Sequence, residues 1–219
     1  MRRALCVAMI LCVATAAYAG VEHHEATVSL QSLNISTVLT VPKYDGTCPL
    51  TAVKFTLSGH VEGEARYENE SPNPATVTWA LSAIMKLNRP IGTALVVTLP
   101  SVGGTDPRAA YDGLTDWAGA SGNTWLGLTA DKAENATYSG AADLALFTAT
   151  VAGETIDLPF TAVGTSSASG SANMSSQFIA DGSAKAEVDY IYRCDGSIPE
   201  PAGLSLIGMA LLGLRRRRG

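Results

Sequence analysis

Only three histidines are available for metal ligation or for proton transfer near neutral pH, and two are adjacent, in Val21-Glu22-His23-His24-Glu25. Imidazole beside carboxylate suggests a metal site. Neighbouring residues of an extended chain point to opposite faces, however, so His23 and His24 make poor joint ligands. The stretch also lacks the His-Glu-x-x-His spacing that sets two imidazoles on one helix face. It reads as solvated chain, and no metal is assigned. The third histidine, His60, follows Ser58 and precedes Glu62. Serine, histidine and acid are the parts of a nucleophilic triad, but here they share one strand, and no Gly-x-Ser-x-Gly elbow occurs. His60 therefore reads as a surface histidine, and Glu62 and Glu64 as charges on a solvated face. A groove joining His60 to an acid would reopen the hydrolase reading.

Asp106, Asp112 and Asp116 fall in what looks like one loop, where oxygen ligands could serve calcium. Their spacing matches no EF-hand, and Asp112-Gly113 is more simply turn chemistry. Trp117 and Trp125 lie in a Gly- and Asn-rich stretch, so they are the candidates for stacking on a sugar, whereas Trp79 patterns as core. No catalytic residue and no cofactor is assigned.

The elements that would position these groups are strands. Residues 53–67 alternate, with Phe55, Leu57, Ala65 and Tyr67 on one face and Lys54, Glu62 and Glu64 on the other. After Pro72 and Pro74, alternation resumes with Val77, Trp79, Leu81, Ala83, Met85 and Leu87 set against Thr76, Thr78 and Lys86. The two runs read as a long β-hairpin over 53–87. Further strands are expected at 37–41, 94–99, 144–151, 155–160 and 184–192, with one helical turn near 107–114. Residues 114–140 read as an irregular excursion and 164–176 as a loop. The fold class that follows is all-β: an antiparallel β-sandwich, jelly-roll or immunoglobulin-like.

Both ends differ from this middle. Arg2 and Arg3, an apolar run over 4–14 and Ala17-Tyr18-Ala19 before Gly20 form the three parts of a secretory signal peptide, 1–19, cut after Ala19. At the other end, Pro199, Glu200 and Pro201 precede an apolar run over 202–214 and the stop Arg215, Arg216, Arg217 and Arg218. As a helix, that run rises about 20 Å against a hydrocarbon core of about 30 Å. It is a marginal transmembrane helix, with the arginines cytoplasmic and everything before them outside.

Six of the 15 basic residues sit in these ends, so residues 20–198 carry 9 Lys and Arg against 19 Asp and Glu, a net charge of −10. That balance argues against nucleic acid as a partner. Cys48 and Cys194 remain in the exported part, and in an oxidising compartment they are expected to pair; two free thiols are the alternative.

The proline motif, apolar helix and basic stop at 197–219 resemble the PEP-CTERM sorting signal of exported bacterial proteins. The resemblance implies an exosortase-type membrane protease as partner, transient residence in the inner membrane and delivery to the cell surface or extracellular polysaccharide. The alternative is a simple, permanent tail anchor. The stretches LTAVKFTLSGHVEGEARYENESPNPATVTWALSA, GTALVVTLP and EVDYIYRC resemble the choice-of-anchor E domain, which implies an extracellular sandwich over 20–196 with no assigned activity. A structural or interaction protein is favoured, with a carbohydrate-binding module as the alternative.

Overall fold

The computed structural model describes residues 17–195. The leader before Ala17, the motif Pro199, Glu200 and Pro201, the apolar run 202–214 and Arg215 to Arg218 lie outside the described residues. Within them the chain forms β1 (Ala17–Ser32), β2 (Ile35–Pro42), β3 (Leu50–Asn69), β4 (Ala75–Asn88), β5 (Ala94–Thr98), β6 (Ser101–Arg108), β7 (Gly122–Tyr138), α1 (Ala141–Phe147), β8 (Thr155–Gly164), β9 (Ser167–Ser169) and β10 (Met174–Asp195).

The strands make two antiparallel sheets. One has the order β1-β10-β3-β7; the other runs β2-β8-β4-β5, with β6 and β9 also paired to β4. The architecture is a β-sandwich, because the long strands such as β3, β4 and β8 each bury one row of alternate residues and only a facing sheet can cover it. Phe55, Leu57, Val61, Val188 and Tyr190 of the first sheet and Leu81, Met85, Leu87, Leu158 and Phe160 of the second are buried in one cluster. The expected face of the 53–87 region is the buried one: Phe55, Leu57, Tyr67, Trp79 and Leu81 are all inside, and Lys54, Glu62, Glu64 and Thr78 lie on the wetter side.

The expected hairpin is not there. β3 pairs with β10 and β7, while β4 pairs with β5, β6, β8 and β9, so consecutive strands sit in opposite sheets. The connection between them arches across the sandwich. Asn69 and Ser71 are buried in it: Asn69 donates from Nδ2 to the Asn73 and Ala109 carbonyls, and Ser71 N donates to Asn69 Oδ1. Pro72 and Pro74 lack the N–H groups that a tight hairpin ladder would use.

Four other expectations change. Residues 144–147 of the strand expected at 144–151 belong instead to α1, whose Ala- and Leu-rich run favours helix and drops Phe147 onto Phe55 at 5.0 Å between ring centroids, and no strand forms over the rest. The helical turn near 107–114 is absent; Pro107 lies in β6, opposite Thr76 of β4. Most of the excursion 114–140 is the 17-residue strand β7, with non-strand residues before it and at 139–140. Likewise 164–176 contains β9 and the start of β10.

Cys48 and Cys194 form a disulfide, with Cα atoms 4.9 Å apart. It ties the β2–β3 connection to the end of β10, beside the stacked rings of Tyr44 and Tyr192. β1 already runs at Ala17, so cleavage after Ala19 would remove the pairings Ala17 to Asp195, Tyr18 to Cys194 and Ala19 to Arg193, leaving Gly20 opposite Tyr192 as the first pair.

Candidate functional site

The outer face of the four-stranded sheet carries an open groove of about 600 Å³, lined by Leu30 of β1, Ser58 and His60 of β3, Asp131 of β7 and Ser183 and Lys185 of β10. Antiparallel register brings these together: His60 lies opposite Asp131 on one side and Ser183 on the other. The chain thus supplies a cleft where histidine, serine and acid meet, which the spacing of Ser58, His60 and Glu62 alone does not establish.

The geometry is that of a clamp rather than of a triad. His60 Nδ1 is 2.8 Å from Asp131 Oδ1, and its Nε2 is 3.2 Å from Glu62 Oε2. Hydrogen bonding to Asp131, then to Glu62, holds its pKa above the ordinary 6.5, against a smaller opposing effect of burial. A general base needs one imidazole nitrogen free for the hydroxyl proton. With both nitrogens held by carboxylates, His60 has no lone pair to offer Ser58.

The tryptophans take separate roles. Trp125 is on β7, not in a loop. It stacks on Trp79 at 5.3 Å and donates its indole N–H to the Tyr67 hydroxyl at 2.8 Å. Tyr67 in turn donates to Asp106 at 2.6 Å, and Asn123 donates to the same oxygen at 2.8 Å. Burial, followed by the hydrogen bond to Asp106, pushes the Tyr67 phenol up to about 12. Burial works to raise the Asp106 pKa, but hydrogen bonds from Tyr67, Asn123 and Arg108 outweigh it and hold the carboxyl below its usual range. One face of Trp125 is thereby committed to the core while 38% of the residue stays exposed.

Trp117 is half-buried, has φ of 60°, and donates its backbone N–H to Glu68 Oε2 at 2.9 Å. Neither Trp117 nor Trp125 lines the groove. Glu68 is fully buried beneath this loop although it continues the charged row of β3, so its sequence pattern gives no sign that it anchors the loop.

Asp106, Asp112 and Asp116 do not converge: Asp106 is buried in the Tyr67 network, while Asp112 and Asp116 close local turns onto the N–H groups of Leu114 and Ala118. His23 and His24 face opposite ways, His23 toward Asp189 at 2.7 Å and His24 toward Glu22 at 2.7 Å and the Tyr190 ring.

No protein-family model and no curated protein matches the chain. Solved structures of infectious bursal disease virus align weakly. The Gx strain structure covers 83% of this chain and 37% of its own at 15% identity, with a TM-score of 0.20. The T13 viral particle covers 90% and 47% at 12% identity, and the VP2 subviral particle 81% and 36% at 13% identity, both with a TM-score of 0.22. This chain spans less than half the length of each. Likeness at this level assigns neither fold nor activity.

Asp131, the main partner of His60, escapes sequence reasoning because β7 hides its alternation. Lys132 and Glu134 occupy the face that turns toward the second sheet, pairing with each other at 3.3 Å on an open edge. Among the described residues no helix is long and apolar enough to cross a membrane.

Proposed function

We propose that the chain is an exported, non-enzymatic surface or extracellular-matrix protein, held briefly in the inner membrane by its C-terminal segment and processed there by an exosortase-type protease. The observation that carries this reading is the Cys48–Cys194 disulfide, a cross-link suited to an oxidising compartment. It agrees with the signal peptide expected at 1–19, with cleavage between Ala19 and Gly20, and with the sorting segment 197–219. The strand orders β1-β10-β3-β7 and β2-β8-β4-β5 favour a jelly-roll over an immunoglobulin-like sandwich, since the chain switches sheets at each step from β1 to β4, and again at β7, β8 and β10.

A non-enzymatic role is supported by the His60 clamp, in which both ring nitrogens are engaged. The net charge of −10 over 20–198 disfavours nucleic acid and anionic lipid surfaces. The extracellular polysaccharide is the environment to which such a domain would be delivered.

Replacing Pro199, Glu200 and Pro201 with alanine tests the sorting step. Full-length protein should then accumulate in the membrane fraction. Processing and release at the parent rate would leave 202–214 as an ordinary anchor and overturn the proposal.

A further inference from the structure

We propose that His23, Glu25 and Glu187 form a zinc site on the outer face of the sheet, at the seam between β1 and β10. A nitrogen of His23 and one carboxylate oxygen from each of the two glutamates lie within 4.8 Å of one another. Zinc bonds of about 2 Å to nitrogen and oxygen need the ligand atoms closer together than this, so binding requires the three side chains to move toward one another.

Strand register creates the site. His23 and Glu25 are two residues apart on β1 and share its outward face, while β10 places Asp189 opposite His23 and Glu187 opposite Glu25. Two glutamates directly opposed on an antiparallel pair repel, so the seam favours a cation. Lys185 supplies one positive charge, with Nζ 2.6 Å from Glu187 and 3.9 Å from Glu25. That leaves the group of Glu25, Glu187 and Asp189 short of cations even with Lys54 4.0 Å from Asp189.

His23 is also held as a ligand needs to be. When its Nδ1–H donates to Asp189 at 2.7 Å, Nε2 keeps its lone pair, which is the carboxylate–imidazole pairing that fixes tautomer and ring orientation in zinc sites. One imidazole with two carboxylates suits zinc better than calcium, which takes six to eight oxygens. Three protein ligands leave a fourth position for water. The inference is independent of the sorting signal and of the His60 groove. Adjacent histidines in sequence conceal it, because the partner of His23 is not His24 but β10, more than 160 residues away.

The test is calorimetric titration of the tag-free exported protein with zinc, and separately with calcium. One zinc should bind per chain with a micromolar Kd. His23→Ala and Glu187→Gln should each weaken it by about tenfold or more, while His24→Ala and His60→Ala leave it unchanged. Lys185→Met should tighten zinc binding, because it removes the competing ammonium. Four of the five side chains stand clear of the apolar core and His24 packs only on the edge of it, at the Tyr190 ring, and circular dichroism of each variant verifies folding. Zinc binding that survives His23→Ala, calcium binding as tight as zinc, or no zinc binding by the Lys185→Met protein would each overturn the site.

Discussion

At the scale of single residues, His60 is the most informative side chain because its charge couples two strands. Its folded pKa lies above the ordinary 6.5 through Asp131 first and Glu62 second. A raised histidine pKa adds stability that is fully present below the unfolded value and is lost as pH rises through the folded value. The parent protein should therefore lose more stability than His60→Gln as pH rises from the ordinary histidine value of 6.5 through the raised folded midpoint, and an NMR titration should place the His60 midpoint above that of a free histidine. An unshifted midpoint would remove the clamp. Individual burial was legible here: Phe55, Leu57, Tyr67, Trp79 and Leu81 declare themselves by alternation. The residues that defeat such reading are Asp131, Glu68 and Asp189, whose roles depend on neighbours across a sheet or beneath a loop.

At the scale of elements, alternation identifies a strand and its inner face but not its partner. The apolar rows of β3 and β4 would look the same in a hairpin or facing each other across a core, because both sheets of a sandwich bury every second residue. The choice is made non-locally, by β10 and β7 flanking β3 and by the buried turn at Asn69 and Ser71. α1 was hidden because seven residues with Leu144 and Phe147 as the inward pair are too few for a helical period to stand out. Close approach of strands is a testable part of this arrangement. Gly63, with φ of 154° at the irregularity between β3 and β7, leaves no room for a Cβ, which would press on the Ile179 carbonyl of β10. Gly63→Ala should cost about 1–3 kcal/mol in denaturant unfolding. Gly104→Ala, where a Cβ would meet only the Trp79 ring at 3.8 Å, should change little. Equal effects at the two positions would contradict the close packing of β3 on β10.

At the scale of the whole molecule, the disulfide joins positions 146 residues apart and so constrains nearly the entire domain. In the chain-entropy view, closing such a loop contributes up to about 5 kcal/mol. The Cys48→Ser, Cys194→Ser double variant should unfold at markedly lower denaturant concentration, and its stability should no longer respond to reductant. This cross-link was legible from the count and placement of cysteines. The sandwich class was legible from many alternating strands, while the strand order was not, because pairing between β1 and β10 joins the first and last of the described strands. The central claim joins these features to export: an oxidised domain freed from its C-terminal membrane segment. Intact-mass measurement of the protein recovered from the cell surface and medium tests it most directly, before and after reduction and thiol alkylation. The account predicts a chain starting at Gly20, lacking the apolar run 202–214 and Arg215 to Arg218, with Cys48 and Cys194 alkylated only after reduction. A mass that retains the four arginines, or cysteines that alkylate without reduction, would contradict it.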